Sequence, residues 1–269
     1  MMYKHKHKIN PTVLSIPLVM AILLLSGGSN FSFSQYLEDE EMRTAVVQYT
    51  LKQRFSPDLK KGDMVKYELK EDKGEEPVIL ELEVTGEDKG NLWIEEHFKG
   101  VEAHYLINPD KMELVKVKGT DVDGNKYELQ PLDKTKLKEK MGLINMMMDK
   151  QGAKQQIKNW KKFNRQETAE CPAGSFDCEL LVPVYSDLYN SQMEEFRSAM
   201  KQSGRNDEDI AAEIARNEPK LLFSEEVPRM IPFAMAMGWM PYIEAFEEVK
   251  GGLVESRPMF SVKLVEYSK

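Results

Sequence analysis

The chain has 269 residues, 41% of them hydrophobic and 30% charged, and a formal charge of −8 at neutral pH. That acidity argues against nucleic acid as a partner, because phosphates demand a basic surface, and against holding an anionic membrane by charge alone. The length suffices for one large domain or two small ones with a full core, and a net charge of this size serves mainly solubility.

The first thirty-four residues have the layout of a secretory leader. Lys4, Lys6 and Lys8 form a basic start, and residues 13–25 are apolar except for Ser15 and Pro17. Ser32-Phe33-Ser34 before Gln35 places small residues three and one positions ahead of a cut. The apolar stretch falls short of the roughly 20 residues that span a bilayer, and no other segment reaches that length. No cysteine follows the apolar run, which excludes lipid attachment at a new N-terminal cysteine. The expectation is a periplasmic or secreted chain beginning near Gln35, not an integral membrane protein. The leader carries three lysines and no acid, so its loss takes the formal charge to −11.

Residues 38–55 predict a helix, with Met42, Ala45, Val46 and Tyr49 at helical spacing and acids in the first turn, where the helix dipole favours them. Ser56-Pro57 ends it. From Asp63 onward the period changes to two: Val65, Tyr67 and Leu69 alternate with lysines and Glu68, and Leu80, Leu82 and Val84 alternate with Glu81 and Glu83. Asp72-Lys73-Gly74 reads as the turn between them. If Lys99-Gly100 are the central residues of the next turn, Phe98 faces Val101. One face then holds Leu92, Ile94, Phe98, Val101, Ala103, Tyr105 and Ile107, broken only by Glu96. The other holds Trp93, Glu95, His97, Glu102 and His104. Strands at 112–118 and 126–130 complete an antiparallel meander of six.

Residues 133–163 carry Leu137, Met141, Ile144, Met148 and Ile157 at helical spacing, which predicts one or two helices ending near Trp160. Strands follow at 165–171 and 176–185. A helical insertion occupies 187–217, in two pieces, with Asn206-Asp207 as a cap and Pro219 as a stop. An extended segment at 221–227, an apolar Met-rich stretch at 230–247 and a terminal strand within 253–267 close the chain. The fold class expected is α+β: a single domain, residues 35–269, with a curved antiparallel sheet (a half-barrel) and helices packed on one face.

Four constellations carry possible chemistry. Cys171 and Cys178 flank the turn signal Pro172-Ala173-Gly174-Ser175, and export to an oxidising compartment favours a structural disulfide between them; two free buried thiols are the other reading, and the spacing does not suit a redox pair. His97 and His104 with Glu95 and Glu102 offer zinc-ligand types, but cross-strand pairing on a solvated face explains them more simply, so no metal is expected. Asp121-Val-Asp123-Gly-Asn125 resembles the start of a calcium loop but lacks the closing Glu and the flanking helices, and reads as a turn. The methionines around 230–240 suit either core packing against the sheet or a mobile apolar lid, with copper binding a remote third reading. Nucleophile, phosphate-loop and metalloprotease signatures are all missing from the sequence. The expectation is a protein that is not an enzyme and needs no cofactor.

Three segments resemble exported bacterial proteins of unknown function: Lys61-Gly-Asp-Met-Val-Lys-Tyr-Glu68, the P-A-G-x-F-x-C hairpin of Cys171–Cys178, and Leu222-Phe-Ser-Glu-Glu-Val-Pro228 followed by Leu264-Val-Glu-Tyr267. Those proteins are similar in architecture to the periplasmic lipoprotein carriers (LolA-like). The resemblance implies an incomplete barrel wrapped around helices, holding acyl chains in the apolar space between. The insertion at 187–217 departs from the usual pattern. On this basis Tyr67, Leu69, Leu80, Leu82, Ile94, Phe98 and Tyr105 are expected to face inward and hold a lipid or other apolar ligand, with Met235, Met237 and Trp239 covering them. The alternative is a structural or partner-binding envelope protein with a filled interior, whose insertion is the contact surface.

Overall fold

Strict alternation becomes strand pairing in the first half of the chain. The computed structural model describes residues 40–70, 77–98, 100–120, 124–150, 157–238, 240–257 and 261–269; the leader, the predicted turn at 72–74 and the first three residues of the predicted turn at 121–125 lie outside them. Six strands follow in order: β1 (Met64–Lys70), β2 (Val78–Asp88), β3 (Asn91–Phe98), β4 (Val101–Asn108), β5 (Glu113–Thr120) and β6 (Lys126–Leu129). Each pairs antiparallel with the next. Phe98 faces Val101, Ile94 faces Tyr105 and Leu92 faces Ile107, as the alternation predicts.

Five more strands complete one sheet: β7 (Ile157–Cys171), β8 (Gly174–Tyr185), β9 (Lys220–Ser224), β10 (Gly252–Arg257) and β11 (Ser261–Ser268). The spatial order is β6-β5-β4-β3-β2-β1-β11-β10-β9-β8-β7. The first strand and the last therefore meet in the middle, from Met64 opposite Ser268 to Lys70 opposite Ser261, while the sheet's two edges come from mid-sequence. The sheet is open and curved. Register shifts interrupt the β1–β11, β2–β3, β4–β5, β7–β8 and β9–β10 ladders, and such bulges bend strands and increase their twist.

Helix α1 (Glu40–Arg54) ends where Pro57 disfavours helical backbone at the residue before it. Its Val47 and Leu51, with Phe55 just beyond, join the main core with one face of the strands. On its other side Met42, Ala45 and Val46 pack with Met141 and Ile144 of α2 (Lys134–Lys150). The chain is thus α+β, dominated by its sheet.

Two expectations need correction. The helical reading of 133–163 holds over Lys134–Lys150, but Ile157 and Trp160 belong to β7. Between Ile157 and Asn159, and again between Phe163 and Gln166, β7 carries extra residues relative to β8. A bulge turns the period of two locally into three, which mimics a helix. The C-terminal region also holds two strands where one was expected. The Met-rich stretch becomes α5 (Phe233–Gly238) and a 3₁₀ helix (Met240–Glu248). Gly251 then turns into β10 at φ 71°, with space for a Cβ closed by the Ser224 carbonyl oxygen at 1.8 Å. Only glycine meets both demands.

Candidate functional site

The residues predicted to line an apolar site do share one face. Tyr67, Leu80, Leu82 and Ile94 are fully buried, Leu69 and Tyr105 nearly so, and Phe98 is half-buried against the same cluster. Met235 of α5 is buried in that cluster too. The Met237 side chain and Trp239 lie outside what the structure describes. These side chains are closed over by the chain itself. Backbone bonds stitch α1 to the segment that covers the sheet: Ile231 N–H donates to Arg54 O (2.9 Å) and Ser56 N–H to Arg229 O (3.1 Å). Tyr67 donates to the Met230 carbonyl at 3.4 Å. From α1, Tyr49 donates to Glu244 at 2.9 Å and Gln53 to Glu247 at 2.7 Å, both on the 3₁₀ helix. Burial and the Glu244 carboxylate push the Tyr49 phenol up to about 12.

At the centre of this face stands the one residue that broke its apolar pattern. Glu96 is 5% exposed and accepts three hydrogen bonds: from Arg54 Nη2 (2.7 Å), from the Tyr105 hydroxyl (2.7 Å) and from the Phe233 backbone N–H (2.5 Å). Arg54 is fully buried, donates its Nε to the Ile231 carbonyl at 2.8 Å and lies over the rings of Phe55 and Tyr105. Its Nη1 has no partner among the described residues. Burial opposes the charge on Arg54, yet Tyr105 and Glu96 hold its pKa above the usual arginine value. Burial, then the Glu96 carboxylate, raises the Tyr105 phenol well above the ordinary tyrosine value, so it remains a donor. The group joins α1, β3, β4 and the start of α5. It has the chemistry of a structural tie, because every member is committed to another. Arg54 was not foreseen. The signal was Glu96 itself: a carboxylate on a buried face requires a cation.

The outer face of the same hairpin carries the histidines. Glu95 lies opposite His104 and His97 opposite Glu102, the register expected for cross-strand pairs. His104 Nδ1 is 3.1 Å from Glu95, and its Nε2 contacts Glu102; His97 Nε2 is 3.8 Å from Glu95. Among the described residues no group of three or more His, Cys, Asp or Glu side chains is arranged to hold a metal ion.

The expected disulfide is not formed in the structure. The turn holds two residues, so Cys171 pairs with Gly174 while Cys178 pairs with Glu167. The cysteines share a face but stand four residues apart along β7, about 13 Å at the strand rise, and both are free thiols. Burial pushes the Cys178 thiol up to about 12 and raises Cys171 as well. Since a raised pKa keeps a thiol protonated, native protein at pH 8 should resist alkylation at Cys178, and denatured protein should show two thiols without prior reduction. A count of none before reduction would restore the bond.

The insertion forms an arm of two helices, α3 (Asp187–Gln202) and α4 (Asp207–Asn217); Asn206 caps the second, as its sequence predicts, and Ser186 caps the first. Tyr189, Met193, Phe196 and Met200 recur on one side of α3. Only Tyr189 of α3 is buried, stacked on Tyr185 at 4.4 Å, and Leu188 is 56% exposed. The two helices pack mainly on each other. Among the described residues no helix is long and apolar enough to cross a membrane. No protein-family model, curated protein or solved structure matches the chain.

Proposed function

We propose that this chain is a non-catalytic exported protein of the cell envelope that acts by contact with a protein partner, through the arm at 187–217, with an interior filled by its own residues. One observation carries the reading: the apolar face is packed by α1, α5 and the 3₁₀ helix and tied through Glu96, whereas the arm keeps apolar side chains half-exposed. Export rests on the leader, with cleavage near Ser34, and placement among half-barrel proteins rests on the resemblance to lipoprotein carriers. The arm connects strands that pair directly, with Leu181 opposite Leu221, so it is separable from the sheet. Replacing residues 187–217 with a short Gly-containing turn should leave the sheet folded, at a cost of about 0.5–1.5 kcal/mol for the lost Tyr185–Tyr189 stack. The same change should abolish cross-linking to an envelope partner that the intact chain captures. Equal capture by both forms refutes the role of the arm.

A second reading has an observation of its own. Tyr67, Leu69, Leu80, Leu82, Ile94, Phe98 and Tyr105 make one continuous apolar surface, and its cover is short helical segments. Displacement of that cover would give a site for an acyl chain or other apolar ligand. Uptake of a fluorescent fatty acid by the delipidated protein supports this reading and weighs against the first.

A further inference from the structure

At the rim of the covered face, a cleft of about 660 Å³ opens where the end of α1, the start of β1, the loop after β9 and the turn into β10 converge. Its floor is apolar, with Phe55, Leu59 and Val227 all buried. Its walls are cationic: Lys52, Lys60, Arg229, Lys250 and Lys269. Three carboxylates share it, Asp58, Asp63 and Glu225, so its side chains sum to +2 within a chain of −8. The carboxylates are largely engaged. Asp63 accepts from the Lys60 backbone N–H at 3.0 Å, Asp58 from the Ser56 hydroxyl, and Glu225 pairs with Lys250 at 3.1 Å.

Arg229 is held in place by the turn into β10. Its Nε donates to the Gly251 carbonyl at 3.0 Å and its Nη2 to the Val249 carbonyl. Those bonds fix the guanidinium and use two of its five N–H donors. Among the described residues no carboxylate lies within ion-pair distance of it, nor of Lys52, Lys60 or Lys269. A fixed, partly buried guanidinium with no acid in ion-pair contact, although Asp58, Glu179 and Glu247 add to the field around it, and flanked by lysines, matches the planar fork that recognises phosphate oxygens. A concave site of this volume is also of ordinary ligand size.

We propose that this cleft binds a phosphomonoester, with Arg229 as its anchor and Lys52 and Lys60 at its rim. The ester is either a free small phosphate or the headgroup of a lipid whose first carbons rest on Phe55 and Val227. Calorimetric titration of the full chain without its leader, at low ionic strength, tests this with glycerol 3-phosphate and with short-chain phosphatidic acid. Binding of either at one site per chain is expected, weakened at least about tenfold in the exposed pair Lys52→Gln/Lys60→Gln and in Arg229→Lys, and weakened by salt. Equal affinity for both probes assigns the free ester; binding of the lipid alone assigns the headgroup. No binding of either probe, or affinity unchanged in the Lys52→Gln/Lys60→Gln protein, overturns the site. No residue of the arm lines the cleft, so neither result bears on the partner reading.

Discussion

Glu96→Ala should destabilise the protein by about 3–5 kcal/mol, the usual result of removing one partner from a buried ion pair. The substitution leaves Arg54 fully buried with only the Ile231 carbonyl, takes the acceptor from Tyr105, and frees the N–H of Phe233. Urea unfolding with an unchanged m-value isolates the effect as one of stability. Replacing both charges together, Arg54→Met with Glu96→Leu, should recover most of the loss, because apolar residues of similar volume often substitute for a buried pair without penalty. A double variant as weak as the sum of its single changes would mean that the two side chains are not coupled. A loss below about 1 kcal/mol for Glu96→Ala would mean that water reaches the pair, and the filled interior would fall with it.

Phe246→Ala tests the cover from the other side. Phe246 sits in the 3₁₀ helix, fully buried, with its ring 5.4 Å from that of Phe223 on β9. Truncating a buried phenylalanine leaves a cavity and ordinarily costs about 3–5 kcal/mol. That value is expected here, since the segment packs as part of the core. A cost under about 1 kcal/mol, with new uptake of a fluorescent fatty acid, would instead describe a loosely held lid over an apolar site. The two outcomes separate the readings of the interior more directly than any search for a ligand.

The first half of the sheet was legible because each strand has one buried and one solvated face. Alternation at Val65, Tyr67 and Leu69, and the pairing of Phe98 with Val101, followed from period and turn alone. The second half was harder to read for identifiable reasons. Bulges in β7 spaced Ile157 and Trp160 like helical residues. In β9, Leu221, Leu222 and Phe223 are all buried, so both faces are covered and no alternation exists to see. Arg54 looked like an ordinary cation in the last turn of a helix; its burial depends on Glu96, 42 positions later in the chain. The cysteines were misjudged through turn length: Cys171 can face Cys178 only across a six-residue loop, and a turn of two residues sets Gly174 opposite Cys171 and Glu167 opposite Cys178. Arg229 and its cleft are assembled from four separate segments, and no local pattern announces such a site.

The seam between β1 and β11 has a kinetic consequence. Strands β1 to β6 close through short local loops and can assemble early, but β1 must wait for a partner roughly two hundred residues downstream. Non-local pairing of this kind slows folding and leaves a bare strand border during the interval. A chain threaded across a membrane from its N-terminus would therefore travel with half a sheet formed and one sticky flank exposed. Self-association at that stage should depend on the delay before residues 261–268 arrive.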